Sequence, residues 1–255
     1  MLQVKNLSLS FGGLKAINNL GFVVEQGSIF GLIGPNGAGK TSVLNCLCRL
    51  YTPTSGSVLF EGVELLRKPI HELPRMGVCR TFQNLELFEE ATVLENILIG
   101  CIHRYESGIL QSFLQLPSAR RRQAQARCDA EKLVAEFDLG DVIDTNVKQL
   151  AFGIRKRVEL ARACASKPKL LLLDEPAAGL NVQESLALGE TIRKLRRDRN
   201  LTILLVEHDM PLVMGVCDRI AVLVQGEKIF EGTPKEVQSS DQVIAAYLGE
   251  EVEYA

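Results

Sequence analysis

Gly34-Pro35-Asn36-Gly37-Ala38-Gly39-Lys40-Thr41 is the stretch that decides the fold of this chain. It fits G-x-x-x-x-G-K-[ST] throughout, follows the apolar run Ser28 to Ile33 and precedes a helical pattern from about Lys40 to Leu50. A polyphosphate has to be met by several backbone N–H groups at once, and side chains at the tight points would block it. Gly37 and Gly39 permit that approach, and the helix opening near Lys40 turns its N-terminal N–H groups and positive dipole end toward the anion. Lys40 is placed to reach the β- and γ-phosphates, Thr41 to ligate Mg²⁺ through its hydroxyl, and Ser42 to add an α-phosphate contact.

A phosphate loop needs a carboxylate for the metal and a group that activates water. Leu170-Leu171-Leu172-Leu173-Asp174-Glu175-Pro176 offers both. Four leucines in a row predict a strand buried on both faces, so Asp174 emerges at its carboxyl end, where open α/β sheets bind ligands. Asp174 then serves Mg²⁺, directly or through water, and Glu175 serves as general base for the attacking water.

Working outward, residues 1 to 33 alternate apolar and polar, with turn chemistry at Gly12-Gly13 and Glu25-Gln26-Gly27, which predicts antiparallel strands. Ser57 to Phe60 and Gly77 to Phe82 read as further strands. From about Thr92 to Ala165 the pattern is mainly helical and includes a polar run, Ser118 to Arg127, read as a solvated helix face. After Pro168 strands and helices alternate again: strands at Lys169–Leu173, Leu201–Val206 and Ile220–Val224, helices at Val182–Arg196 and Pro211–Cys217. That rhythm implies a parallel sheet with crossovers. The expected fold is α/β, a P-loop NTPase (RecA-like) core with a mostly parallel sheet, an N-terminal antiparallel β subdomain and an inserted α-helical subdomain. Residues 1–84 and 166–255 form the nucleotide-binding core, and residues 85–165 the helical subdomain.

Composition narrows the function classes. The 255 residues are 46% hydrophobic and 24% charged with a formal net charge of −2, so the basic excess of a nucleic-acid binder is missing. The N-terminus reads as a strand rather than a signal peptide, and no apolar run approaches the ~20 residues that span a bilayer. The seven cysteines, odd in number and without a C-x-x-C pair, read as reduced thiols in a reducing compartment.

The two phosphate-site motifs resemble the Walker A and Walker B of ABC ATPases, and the family's other stations follow in order along essentially the whole chain. Thr81-Phe82-Gln83-Asn84 resembles the Q-loop, Ala178-Gly179-Leu180-Asn181 the D-loop with Asn181 at its usual aspartate position, and Val206-Glu207-His208-Asp209 the switch. The resemblance implies that Gln83 contacts Mg²⁺ and the attacking water, that His208 holds the γ-phosphate, and that Phe11 stacks on adenine. It implies ATP and Mg²⁺ as cofactors. It also implies a second ATPase subunit, identical or different, and integral-membrane permease subunits as partners. Arg80 to Phe88, Val206 to Met210 and Ala246-Tyr247-Leu248-Gly249-Glu250 are similar to ATP-binding subunits of branched-chain amino acid importers. That finer resemblance implies a peripheral place on the inner, cytoplasmic face of the membrane and an indirect link to a periplasmic or extracellular solute-binding protein. Leu85, Leu87 and Phe88 are expected to line a groove for a cytoplasmic helix of the permease.

One station departs from the family pattern. The signature, usually L-S-G-G-Q or L-S-x-G-Q, reads Leu150-Ala151-Phe152-Gly153-Ile154, so the hydroxyl that would meet a γ-phosphate across the dimer is missing at Ala151. A hydrogen bond to a charged group is worth roughly 1.5–3 kcal/mol, equivalent to a loss of about tenfold to a few hundredfold in rate. Gly153 still admits a close backbone approach, and a helix expected from Ile154 would bring Arg155, Lys156 and Arg157 into its first turn, where a docked anion or plain solvation would accommodate them. The alternatives are an ABC lipid-export motor and a slow or non-hydrolysing ATP-binding partner. A GTPase lacks support because no N-K-x-D occurs, and a DNA-repair ATPase because the insert is too short for a long coiled coil.

Overall fold

A computed structural model describes residues 1–81, 83, 85–105 and 117–252. Two compact units emerge, one from Met1–Leu73 with Lys169–Ala255, the other from Pro74–Pro168. The sequence divided the chain at 84/85 and 165/166 instead. The difference comes from the segment before the helices, which is tied into the second unit: Cys79 Sγ lies 2.8 Å from Ser166 Oγ, and Lys156 Nζ donates to Gln83 O at 3.2 Å.

The first unit opens with β1 (Leu2–Phe11) and β2 (Leu14–Val24), a hairpin that turns at Gly12-Gly13 and pairs Phe11 with Leu14. Period-two patterning, shifted by one residue at an irregularity between Val4 and Leu7, puts Leu2, Val4, Leu7 and Leu9 inside. Strand β3 (Ile29–Ile33) is buried at every residue and leads through the glycine-rich loop into helix α1 (Lys40–Leu47). The helix stops three residues before the expected Leu50. Arg49 takes the left-handed conformation, φ 62°, and the N–H groups of Leu50 and Tyr51 fold back onto Asn45 O. Strands β4 (Ser55–Phe60) and β5 (Val63–Glu64) complete an antiparallel sheet of order β2-β1-β4-β5.

The second unit holds the short strand β6 (Val78–Arg80) and the helices α2 (Val93–Tyr105), α3 (Pro117–Glu136) and α4 (Phe152–Ala165). Helices α2 and α4 meet closely at Gly100, where a Cβ would stand 2.2 Å from Arg162 O. Asp129 on α3 binds α2 through the Tyr105 hydroxyl at 2.6 Å and Arg104 Nη2 at 3.1 Å. Those two donors, the phenol first, hold its carboxyl well below the usual carboxylate range. Helix α4 starts two residues earlier than the sequence suggested, with Ala151 as its N-cap and no side chain capping it. The basic residues at its start, Lys156 buried and Arg155 and Arg157 half-buried, donate to the unit's own carbonyls. Arg155 donates to Leu150 O and Lys148 O, Lys156 to Gln83 O, and Arg157 Nη1 to Phe137 O and Asp138 O at 3.3 Å each.

The chain then returns to the first unit with β7 (Leu170–Asp174), α5 (Val182–Arg199), β8 (Thr202–Val206), α6 (Met210–Val216) and β9 (Arg219–Val224). Three elements beyond the expected ones follow: β10 (Glu227–Gly232), α7 (Pro234–Gln238) and α8 (Asp241–Val252). The hairpin into β10 turns on Gln225-Gly226, both at positive φ, and α7 carries a full capping box from Thr233 and Glu236. Within this unit the second sheet runs β10-β9-β3-β8-β7. Strand β3 is parallel to β8 and β9, β7 is parallel to β8, and β10 is antiparallel to β9. Strands β7 and β8 are buried at all five residues each, as a parallel sheet covered on both faces requires.

Candidate functional site

The neighbour order β3-β8-β7 places three carboxyl ends side by side, and each strand delivers one functional segment there. From β3 comes the Gly34–Thr41 loop, from β7 the pair Asp174 and Glu175, from β8 the Glu207-His208-Asp209 turn.

The loop from β3 is fixed by steric exclusion. Gly34, Gly37 and Gly39 have φ of 152°, 76° and 98°. A Cβ on Gly34 would sit 2.0 Å from Leu223 O and one on Gly39 2.3 Å from Ala16 O, whereas at Gly37 it would meet nothing within 4 Å. Two of these glycines are therefore demanded by packing and conformation together, and Gly37 by conformation alone. The Gly226 N–H donates to Ala38 O at 3.0 Å, so the β9–β10 turn braces the loop from behind. Lys40 is 6% exposed, with Nζ donating to Gly34 O at 2.6 Å and Pro35 O at 2.8 Å. A buried ammonium held by loop carbonyls at a helix N-terminus with no acidic residue in its first turn is suited to a polyphosphate.

Asp174 is buried at the end of β7, and Glu175 follows in the left-handed region at φ 46°. The Glu175 N–H donates to Val206 O at 2.9 Å, which pins this turn to the end of β8. Strain of this kind, about 1–3 kcal/mol, persists where the surroundings over-determine it. His208 is exposed, and its Nδ1 is 3.8 Å from Glu175 Oε2.

Asn36 to Ser42 and Glu175 face a cleft of about 710 Å³ that is also lined by Phe11 and four residues the sequence did not single out, Leu14, Lys15, Ala16 and Gln225; Asp174 and His208 do not line it. Phe11 is 48% exposed, with Tyr51 edge-on at 5.3 Å between ring centroids. An open aromatic face beside a phosphate loop fits a planar base. The first unit thus brings together Phe11, Gly34–Ser42, Asp174, Glu175 and His208. Gln83, Ala151 and Gly153 belong to the second unit, with Gln83 and Ala151 exposed and Gly153 partly exposed at the start of α4. Of the Q-loop residues, Phe82 and Asn84 lie outside the described residues. Asn181 is the N-cap of α5, in a capping box with Glu184.

The sequence also passed over Glu207 and Asp209 as acting groups. Glu207 is fully buried, and Asp209 caps α6 through Leu212 N at 3.1 Å while accepting from Ser185 Oγ at 2.6 Å. An acid directly after the apolar run Leu201 to Val206 is the signal that marks Glu207.

Residues 17–178 match the family model described as ABC transporter, and residues 227–253 one described as branched-chain amino acid ATP-binding cassette transporter. The chain is 44% identical over 250 residues to the high-affinity branched-chain amino acid transport ATP-binding protein LivG of Escherichia coli (strain K12), covering 98% of each. It is 42% identical to the corresponding protein BraF of Pseudomonas aeruginosa, again with 98% of each covered. Among solved structures, the ADP conformation of an ATP-binding cassette of an ABC transporter superposes with a TM-score of 0.85 at 31% identity, covering 98% of both chains.

The loop geometry separates two glycines. Gly39→Ala meets the Ala16 carbonyl as well as an unfavourable φ and should lower Tm by roughly 5 °C or more. Gly37→Ala has open space and should cost clearly less, so thermal melts of the two variants compared with the parent check the cradle directly.

Proposed function

The chain belongs to the ABC transporter family, and on that premise we propose that it powers the import of branched-chain amino acids or similar small polar solutes through a membrane permease. It is an ATP-binding and ATP-hydrolysing subunit. The observation that carries the site assignment is the meeting of the Lys40 loop, Asp174-Glu175 and His208 at the ends of three adjacent parallel strands. The printed functions of LivG and BraF, together with the C-terminal match over residues 227–253, support the choice of solute.

In this reading Phe11 stacks on the adenine and the N–H groups of Gly34–Ser42 hold the phosphates. Lys40 exchanges its loop carbonyls for the β- and γ-phosphates. Glu175 takes a proton from the attacking water, and His208, 3.8 Å from it, holds the γ-phosphate. Mg²⁺, when bound, neutralises phosphate charge. Thr41 and the buried carboxylate of Asp174 are the donors suited to it, and Gln83 joins them on the strength of its motif alone. Ala151 and Gly153 face the nucleotide of a second ATPase subunit, so that ATP acts as a shared ligand of the closed pair and hydrolysis releases it. The chain sits on the inner face of the membrane through its permease and meets a solute-binding protein only through that permease. Among the described residues no helix is long and apolar enough to cross a membrane.

The second unit carries the docking groove we assign to the permease. Phe88, 54% exposed, lines it with Leu98 and Ile99, and Glu89, Glu90 and Glu95 rim it. Apolar anchors inside an acidic rim favour a short amphipathic helix with basic ends. Leu85 and Leu87, expected here from the sequence, are half-buried and do not line it.

Three variants test this reading. Glu175→Gln should lower ATP turnover at least about a hundredfold with ATP affinity nearly unchanged, measured by phosphate release and by titration with a fluorescent ATP analogue. Phe88→Glu should leave the isolated chain's ATPase intact while abolishing leucine uptake in vesicles that hold the assembled transporter. Ala151→Ser supplies the missing N-cap of α4 and should add about 1 kcal/mol to stability in urea unfolding. In the assembled complex the same substitution should raise ATP turnover, and unchanged turnover there would limit the added hydroxyl to capping α4.

A further inference from the structure

Glu207 has no exposed surface, and none of the roles above uses it. A carboxylate is all acceptor, and its burial is unfavourable unless donors surround it. Here the donors are three backbone N–H groups from two different turns. Oε1 accepts from Ala177 N at 2.7 Å, and Oε2 from His208 N at 2.9 Å and Asp209 N at 3.2 Å. Ala177 stands two residues after Glu175, whose own N–H is bonded to Val206 O, the residue before Glu207. Consecutive residues of the β8 end therefore hold alternate N–H groups of the turn that presents Glu175. The same Oε2 lies 3.8 Å from His208 Nδ1. Asp209 extends the network to α5 by accepting from Ser185 Oγ at 2.6 Å.

We infer that Glu207 is a positioning residue for hydrolysis, one side chain that locks the turn presenting Glu175 to the turn presenting His208. The inference rests on the roles proposed above for those two residues. The β7–β8 ladder ends at Asp174 and Val206, the Glu175 N–H bond to Val206 O is one link beyond it, and the carboxylate adds a second link further out, from Ala177 to the His208-Asp209 turn. A misplacement on the order of 1 Å in such an arrangement costs about a hundredfold in rate.

The test uses the full chain with Glu207→Gln and Glu207→Asp, each alone and combined with His208→Ala, in single-turnover ATP hydrolysis. The amide turns an NH2 donor toward at least one of the three N–H groups, and the aspartate is one methylene too short to span both turns. Each single variant should lose ten- to a hundredfold in rate, with affinity for a fluorescent ATP analogue within about threefold of the parent and a cooperative thermal melt retained. On the His208→Ala background the further loss should shrink to about threefold or less, because one of the two groups whose relative position Glu207 fixes is already gone. An unchanged rate, equal losses on both backgrounds, or loss of cooperative melting in both variants would overturn the inference and leave Glu207 a packing role. Glu175→Gln serves as the control. If it hydrolyses like the parent, the underlying assignment fails; if it is inactive while the Glu207 effects multiply, only the positioning role fails.

Discussion

The first unit is organised around the close approach of three backbones at Gly39. The phosphate loop, β2 at Ala16 and the β9–β10 turn at Gly226 meet there so tightly that a Cβ on Gly39 would sit 2.3 Å from one carbonyl and 3.6 Å from the Gly226 Cα. A Cβ on Gly226 would in turn sit 2.9 Å from the same Ala16 carbonyl. Protein interiors are close-packed and transmit such restraints rather than absorbing them. The antiparallel sheet that carries Phe11 is thereby held in register with the loop that carries Lys40, and an aromatic platform and a phosphate cradle far apart in sequence line one cleft.

Buried charge is concentrated at this edge of the sheet. Lys40, Asp174 and Glu207 are all under 10% exposed, an arrangement that is unfavourable wherever it does not serve binding or positioning. Lys40 shares its loop's own carbonyls, which an incoming anion can replace. Glu207 takes only amide donors, a stable set that no ligand needs to displace. The two charges thus separate by chemistry: the exchangeable one faces the cleft and the satisfied one stands behind it.

The second unit uses its charges differently. Arg155, Lys156 and Arg157 at the start of α4 are consumed by carbonyls from Leu150, Lys148, Gln83, Phe137 and Asp138, which knit the signature segment to the rest of that unit. Positive side chains at a helix N-terminus oppose the dipole, and hydrogen bonds of this number offset that penalty. The signature backbone is therefore well braced even though Ala151 brings no hydroxyl.

The sequence by itself determined the fold class and most of the site. The glycine spacing before Lys40, the four leucines before Asp174 and the alternation of strands with helices are local patterns, and the chemistry of each is confined to a few consecutive residues. Element ends were less legible, as at Leu47, where a left-handed Arg49 stops the helix, and after Val224, where β10 and two short helices depend on a tight turn and caps. Only the tertiary structure decided that Leu14, Ala16 and Gln225 share the cleft, that Arg155 to Arg157 are internal braces, and that Glu207 spans two turns. Those facts depend on backbone donors and acceptors from segments up to two hundred residues apart, and a backbone N–H carries no side-chain signature by which a sequence could announce it.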